Sequence, residues 1–89
     1  LTIFRLAEGT EIPLIVRTRR EGDRIKPFGL NGHKKIKELF IDEKIPLQQR
    51  KIWPIVTDQS GNILWVPGLK KSCYEARSSK EAIYILRYR

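Results

Sequence analysis

The sequence predicts a single α+β domain dominated by a mostly antiparallel sheet, with one or two helices inserted mid-chain. Three observations carry this. Apolar, β-branched or alternating runs lie toward both ends of the chain, at residues 1–6, 14–20, 52–57, 63–66 and 82–88. An apolar stripe at helical spacing (Ile36, Leu39, Phe40) occurs in the middle. The 89 residues, 40% hydrophobic and 31% charged, suffice for one small globular domain spanning residues 1–89 and not for two.

Taken in order, residues 1–6 read as a strand, apolar apart from Arg5, followed by a polar turn over 8–11 that carries Gly9. Residues 14–20 alternate, with Leu14, Val16 and Thr18 on one face and Ile15, Arg17 and Arg19 on the other. Residues 21–33 read as a loop. Gly22-Asp23 makes a turn in which the Asp23 side chain bonds nearby backbone N–H groups, and Pro27, Gly29, Asn31 and Gly32 interrupt regular structure. Thirteen residues without an element is long for a small domain, and such loops are usually functional or mobile.

Residues 34–51 read as helical, with Lys34 and Glu38 as an i,i+4 pair and Ile41 left on the polar side. Pro46 ends this helix and starts a short second one over 46–51. Residues 52–57 and 63–66 form a hairpin across the 58–62 turn. Residues 69–81 show no clear period, and 82–88 make a last strand with Ala82, Tyr84, Leu86 and Tyr88 on one face. The order is β-β-α-α-β-β-β.

The formal charge is +8, which points to a polyanionic partner. It is unevenly placed. Between Arg17 and Lys51 stand 11 basic and five acidic residues, so this window carries +6 of the total. Lys34, Lys35 and Lys37 crowd the start of the expected helix, where the macrodipole disfavours cations by about 0.3–1 kcal/mol each. A phosphate held over residues 31–37, approached through Gly29 and Gly32, would neutralise them. The competing reading is a solvated helix face.

Other classes recede. Apolar runs such as 13–16 and 63–67 are far shorter than the ~20 residues a membrane helix needs. A basic amphipathic surface helix with aromatic anchors is not apparent either, so no membrane partner is expected. One cysteine and one histidine exclude an intrachain disulfide and a closed four-ligand zinc site. No leader-like segment opens the chain, so a cytoplasmic setting is expected. The chain starts at Leu1 and has no Met, and is expected to be a piece of a longer protein.

His33 lacks a visible partner for acid–base chemistry and is read as a helix-entry residue or a phosphate contact. Trp53, Trp65, Tyr84 and Tyr88 are read as structural, Cys73 as inert, and Lys70 with Lys71 as a second small basic patch. No Gly-rich phosphate loop and no dinucleotide-binding pattern is present, so the chain reads as a binder without catalytic residues.

The run Val16-Arg17-Thr18-Arg19-Arg20-Glu21-Gly22-Asp23-Arg24-Ile25 is followed by Gly29 and by Lys34-Lys35-Ile36-Lys37-Glu38-Leu39-Phe40. Lys44-Ile45-Pro46, Arg50, Pro54 and Trp65-Val66-Pro67-Gly68 come next. In this order and spacing they resemble the C-terminal domain of bacterial tRNA(Ile)-lysidine synthetase. The resemblance implies a fold grouped with a domain of the phenylalanyl-tRNA synthetase β chain. It also implies a parent ATP-dependent ligase that joins lysine to C2 of the wobble cytidine in a CAU anticodon. ATP and magnesium would belong to that parent's N-terminal catalytic domain, and this chain would hold no cofactor.

The implied partners are tRNA(Ile) with a CAU anticodon, gripped at its acceptor stem, and the catalytic domain itself. Arg17, Arg19, Arg24, Lys34, Lys35, Lys37 and Arg50 match positions able to touch RNA, and Arg50 also suits a helix-capping role. Charge alone adds Lys26, Lys51, Lys70 and Lys71, and position adds His33. Two other readings stay open: an independent RNA-binding module, and a structural or dimerisation domain that does not touch RNA.

Overall fold

The two ends of the chain meet. In the computed structural model, which describes residues 2–29 and 31–88, β1 (Thr2–Ala7) pairs antiparallel with β8 (Ala82–Tyr88), setting Phe4 opposite Leu86 and Leu6 opposite Tyr84. Leu1, Leu30 and Arg89 lie outside the described residues, so the strand expected from residue 1 is seen from Thr2.

The larger sheet has six strands. Its path runs from β2 (Ile15–Arg17) through β5 (Ile55–Thr57), β6 (Ile63–Val66) and β3 (Arg24–Ile25) to β4 (Lys34–Lys35), and β7 (Lys70–Lys71) also pairs with β6. All pairings are antiparallel except β3 with β6, where Ile25 faces Ile63. The helices α1 (Ile36–Asp42) and α2 (Leu47–Arg50) fall between β4 and β5. The sheet-dominated α+β class is therefore the one the sequence predicts.

The sheet separates two cores. On one side Ile36, Leu39 and Phe40 of α1 meet Ile25, Ile55, Ile63 and Val66. On the other side Phe4 and Leu6 of the β1–β8 ribbon meet Val56, Leu64 and Trp65, with Leu86 at the margin. This helix–sheet–ribbon layering lets each face of the sheet bury its apolar row. β6 serves both cores because its register with β5 slips by one residue: Val56 faces Trp65, but Thr57 faces Ile63. The bulge turns Leu64 and Trp65 to the ribbon side while Ile63 and Val66 stay on the helix side, so all four are buried.

Both tryptophans are structural, as their apolar settings imply. Trp65 stacks on Phe4 at 5.8 Å between ring centroids. Trp53 tilts against Phe40 at 6.4 Å and donates its indole N–H to the Pro67 carbonyl at 3.0 Å. Tyr84 and Tyr88 correct the sequence reading: Tyr84 is 68% exposed and Tyr88 is also exposed. Their row overhangs the core from a two-stranded ribbon, and Leu86 alone of that row packs against it. Cys73 is a free, half-buried thiol.

Helix α1 is shorter than expected because Lys34 and Lys35 pair with β3 before it begins. It ends in a Schellman-type turn, with the Ile45 N–H on the Phe40 carbonyl at 2.9 Å and the Lys44 N–H on that of Ile41 at 3.0 Å. Lys44 takes φ +55° at the position that usually selects glycine. Ile41 is exposed, the place its off-stripe position implies. Pro46 caps α2 from just outside it.

The strand predicted over 14–20 stops at Arg17, where the chain turns through Gly22 (φ +84°). Three strands absent from the sequence reading, β3 within the 21–33 loop, β4 at the expected helix start and β7 within 69–81, are two residues long and leave no period to detect.

Candidate nucleic-acid interface

The turn after β2 is organised by one ion pair. Arg17 donates both guanidinium nitrogens to the Asp23 carboxylate, at 2.8 and 2.9 Å, and a further bond to the Thr18 carbonyl at 3.0 Å. Asp23 also accepts the Arg20 backbone N–H at 2.8 Å, which is the backbone role expected of it. Burial works against the Asp23 carboxylate. Hydrogen bonds from Arg17 and the Arg20 N–H, with the charges of both arginines, outweigh it and hold the group below the usual carboxylate range. The Asp23 carbonyl accepts the Ile36 N–H at 3.0 Å and so ties this turn to the start of α1. Arg17, expected to touch RNA, is thus engaged as an anchor of this turn.

Two depressions gather most of the remaining expected residues. The first is lined by Arg24, Lys26 and His33 with Gly22, Gly61, Asn62, Ile63 and Tyr74. Its wall at the 58–62 turn is fixed, since Asp58 accepts the Asn62 backbone and side-chain N–H groups at 2.9 and 3.0 Å. The second is lined by Arg19, Lys37, Arg50 and Lys51, with Phe40 and Leu47 as its apolar part. Arg19 lies 3.9 Å from the exposed Glu21. Arg50 donates its Nε–H to the Ile45 carbonyl at 2.6 Å, in the link between α1 and α2 and not at the last carbonyls of α2, while still lining the depression. Arg24, Lys26, Lys37 and Lys51 are exposed and enter no ion pair among the described residues.

The helix start differs from the one on which the expected phosphate cradle at residues 31–37 rests. Lys34 and Lys35 belong to β4, so Lys37 is left as the lysine of the first turn, beside Glu38. Lys34 pairs with Asp42 and not with Glu38, and that hydrogen bond holds its ammonium above its ordinary pKa. Lys35 is exposed and immediately precedes the helix without a side-chain cap bond. His33 is exposed and faces the first depression rather than the helix entry. Lys70 and Lys71 line a third depression with Phe28 and Trp65, and Lys71 is paired with Glu75 at 3.2 Å.

Two exposed aromatics among these cations escaped the sequence reading: Phe28, 65% exposed, and Tyr74, 40% exposed. The signal for Phe28 was the alternation Arg24-x-Lys26-x-Phe28. For Tyr74 no local pattern distinguishes it, because its neighbours Arg24, Lys26 and His33 are distant in sequence.

Comparison with known proteins agrees with this architecture. Residues 14–87 match the family model described as the TilS substrate C-terminal domain. The chain is 65% identical over 63 residues to the tRNA(Ile)-lysidine synthase of Bacillus subtilis, covering 71% of this chain and 13% of that protein. It is 59% identical over 75 residues to the tRNA(Ile)-lysidine synthase of Geobacillus kaustophilus, covering 84% and 16%. It is 53% identical over 85 residues to the bifunctional protein TilS/HprT of Listeria innocua, covering 92% and 13%. A solved structure described as a crystal structure of the TilS C-terminal domain superposes with a TM-score of 0.85 at 50% identity, over 94% of this chain and 65% of that one. The chain spans roughly an eighth to a sixth of these curated relatives.

Proposed function

The chain belongs to the TilS substrate C-terminal domain family, and from that premise we propose that it is a tRNA-gripping module of a lysidine-forming ligase. One observation carries the reading: four exposed cations without ion-pair partners among the described residues, Arg24, Lys26, Lys37 and Lys51, line two depressions. Such cations suit phosphate tracking. An A-form acceptor stem hides its major groove and offers phosphates and 2′-hydroxyls, so spaced Lys and Arg side chains are the groups that engage it.

In this reading the substrate is tRNA(Ile) with a CAU anticodon, held by its acceptor stem in the cytoplasm. Lysine is joined to the wobble cytidine, with ATP and magnesium, in a catalytic domain on a longer chain. This chain supplies grip and selection and no reacting group. Arg19 and Arg50 shape the second depression, while Arg17 and Lys34 act through the fold. The exposed Ile83, Tyr84 and Tyr88 on β8 favour one addition, that this ribbon docks on the catalytic domain.

The test is tRNA binding followed by fluorescence anisotropy across a salt series. Log affinity should fall linearly with log salt, by about 0.7–0.9 for each phosphate contacted. Paired reversals, Arg24→Glu with Lys26→Glu and Lys37→Glu with Lys51→Glu, should each weaken binding and flatten the slope. Salt-independent binding, or reversals without effect, would overturn the proposal in favour of a purely structural domain.

A further inference from the structure

Two of these cations, Arg24 and Lys26, also belong to a second pattern of a different kind. From Arg24 to Phe28 exposure alternates strictly: Arg24, Lys26 and Phe28 face solvent, while Ile25 and Pro27 are buried. The chain here continues past β3 as an extended segment alongside residues 71–73. The Cys73 N–H donates to the Lys26 carbonyl at 2.9 Å, the Phe28 N–H donates to that of Lys71 at 3.3 Å, and Pro27 bridges Ser72. Pro27 and Ser72 are fully buried, so this ribbon is locked to the core.

Its exposed residues lie about 6.6 Å apart along the strand. Tyr74 closes one end, in the depression with Arg24, Lys26 and His33, and Phe28 closes the other, in the depression with Lys70. Among the described residues, no carboxylate lines either depression.

A duplex has no use for exposed aromatic faces, because its bases are already stacked. Unpaired nucleotides do: single-strand sites combine a cationic backbone track with aromatics on which successive bases stack. We propose that this ribbon is a track for an unpaired RNA segment. Tyr74 and Phe28 each stack a base, and Arg24, Lys26, His33 and Lys70 hold the intervening phosphates. This inference rests on the tRNA-binding reading for its ligand class, but it makes a separate claim about strandedness.

The experiment compares a blunt RNA hairpin, the same hairpin with a short unpaired 3′ extension, and a free oligoadenylate, each titrated against the chain and its Phe28→Ala, Tyr74→Ala and Tyr74→Phe variants. The extension should tighten wild-type binding. Each alanine variant should remove about fivefold to a hundredfold of that gain, the range one stacked base supplies. Tyr74→Phe should keep it, and blunt-hairpin affinity should not move in any variant.

Salt-dependent hairpin binding with no gain from the extension, or a gain that survives both alanine variants, overturns the track and leaves the duplex reading intact. Oligoadenylate binding that needs Phe28 and Tyr74, without hairpin binding, supports the track and overturns the duplex reading. Both aromatics are solvent-exposed, and unchanged circular dichroism confirms that the variants fold.

Discussion

Truncating Arg17 distinguishes an anchor from an RNA contact. Its guanidinium forms a bidentate pair with Asp23, and the two side chains are 14% and 11% exposed. Arg17→Ala leaves a largely buried carboxylate holding the Arg20 N–H as its remaining hydrogen-bond partner among the described residues. A hydrogen bond to a charged group is worth about 1.5–3 kcal/mol, and orphaning a fully buried charge costs about 3–5 kcal/mol. Residual solvent contact places this pair at about 2–3 kcal/mol. For a domain of this size that corresponds to a fall in Tm of about 8–24 °C.

Urea unfolding followed by the fluorescence of Trp53 and Trp65 measures the loss directly. The same truncation in an Asp23→Asn background should cost about 2 kcal/mol less, since the charge it strands is already gone. Folded Arg17→Ala should bind tRNA as wild type does. A loss below about 0.5 kcal/mol, the same loss in both backgrounds, or an affinity drop matching Lys37→Glu with Lys51→Glu would refute the anchor role.

Three further outcomes follow from the same geometry. Because the Asp23 pKa is lowered by folding, its contribution to stability is complete above its unfolded value of about 3.9 and is lost as pH falls through the folded one. Stability should therefore decline with acid below about pH 4, less steeply in Asp23→Asn, as urea midpoints at stepped pH would show. Lys44→Gly should stabilise the chain by about 0.5–1 kcal/mol, because φ +55° strains a side-chain-bearing residue; an unchanged urea midpoint would count against the strained cap. Trp53→Phe should cost about 1–3 kcal/mol by leaving the buried Pro67 carbonyl without its indole donor, and a neutral substitution would mean that this bond contributes nothing.

Local pattern was enough for the elements that bury a periodic face. Ile36, Leu39 and Phe40 specify α1 because only a 3.6-residue period brings them together against the sheet. The 58–62 turn and its two strands declare themselves through β-branched runs around a Gly-containing turn. The positive charge, its concentration between Arg17 and Lys51, and the order of motifs that marks the family are also properties of the sequence by itself.

Tertiary structure decided which cations are free. Arg17, Arg24, Lys26 and Lys34 look alike along the chain. Folding brings carboxylates to Arg17 and Lys34 from six and eight residues away and leaves Arg24 and Lys26 exposed without an ion-pair partner among the described residues. It also pairs β1 with β8 across the whole chain, and sets Tyr74 beside Arg24 and Lys26. Charge and periodicity are carried by each residue and its near neighbours, so sequence alone determines them. An ion pair, a buried register or a shared depression depends on residues meeting across long separations, and only the packed chain fixes which ones meet.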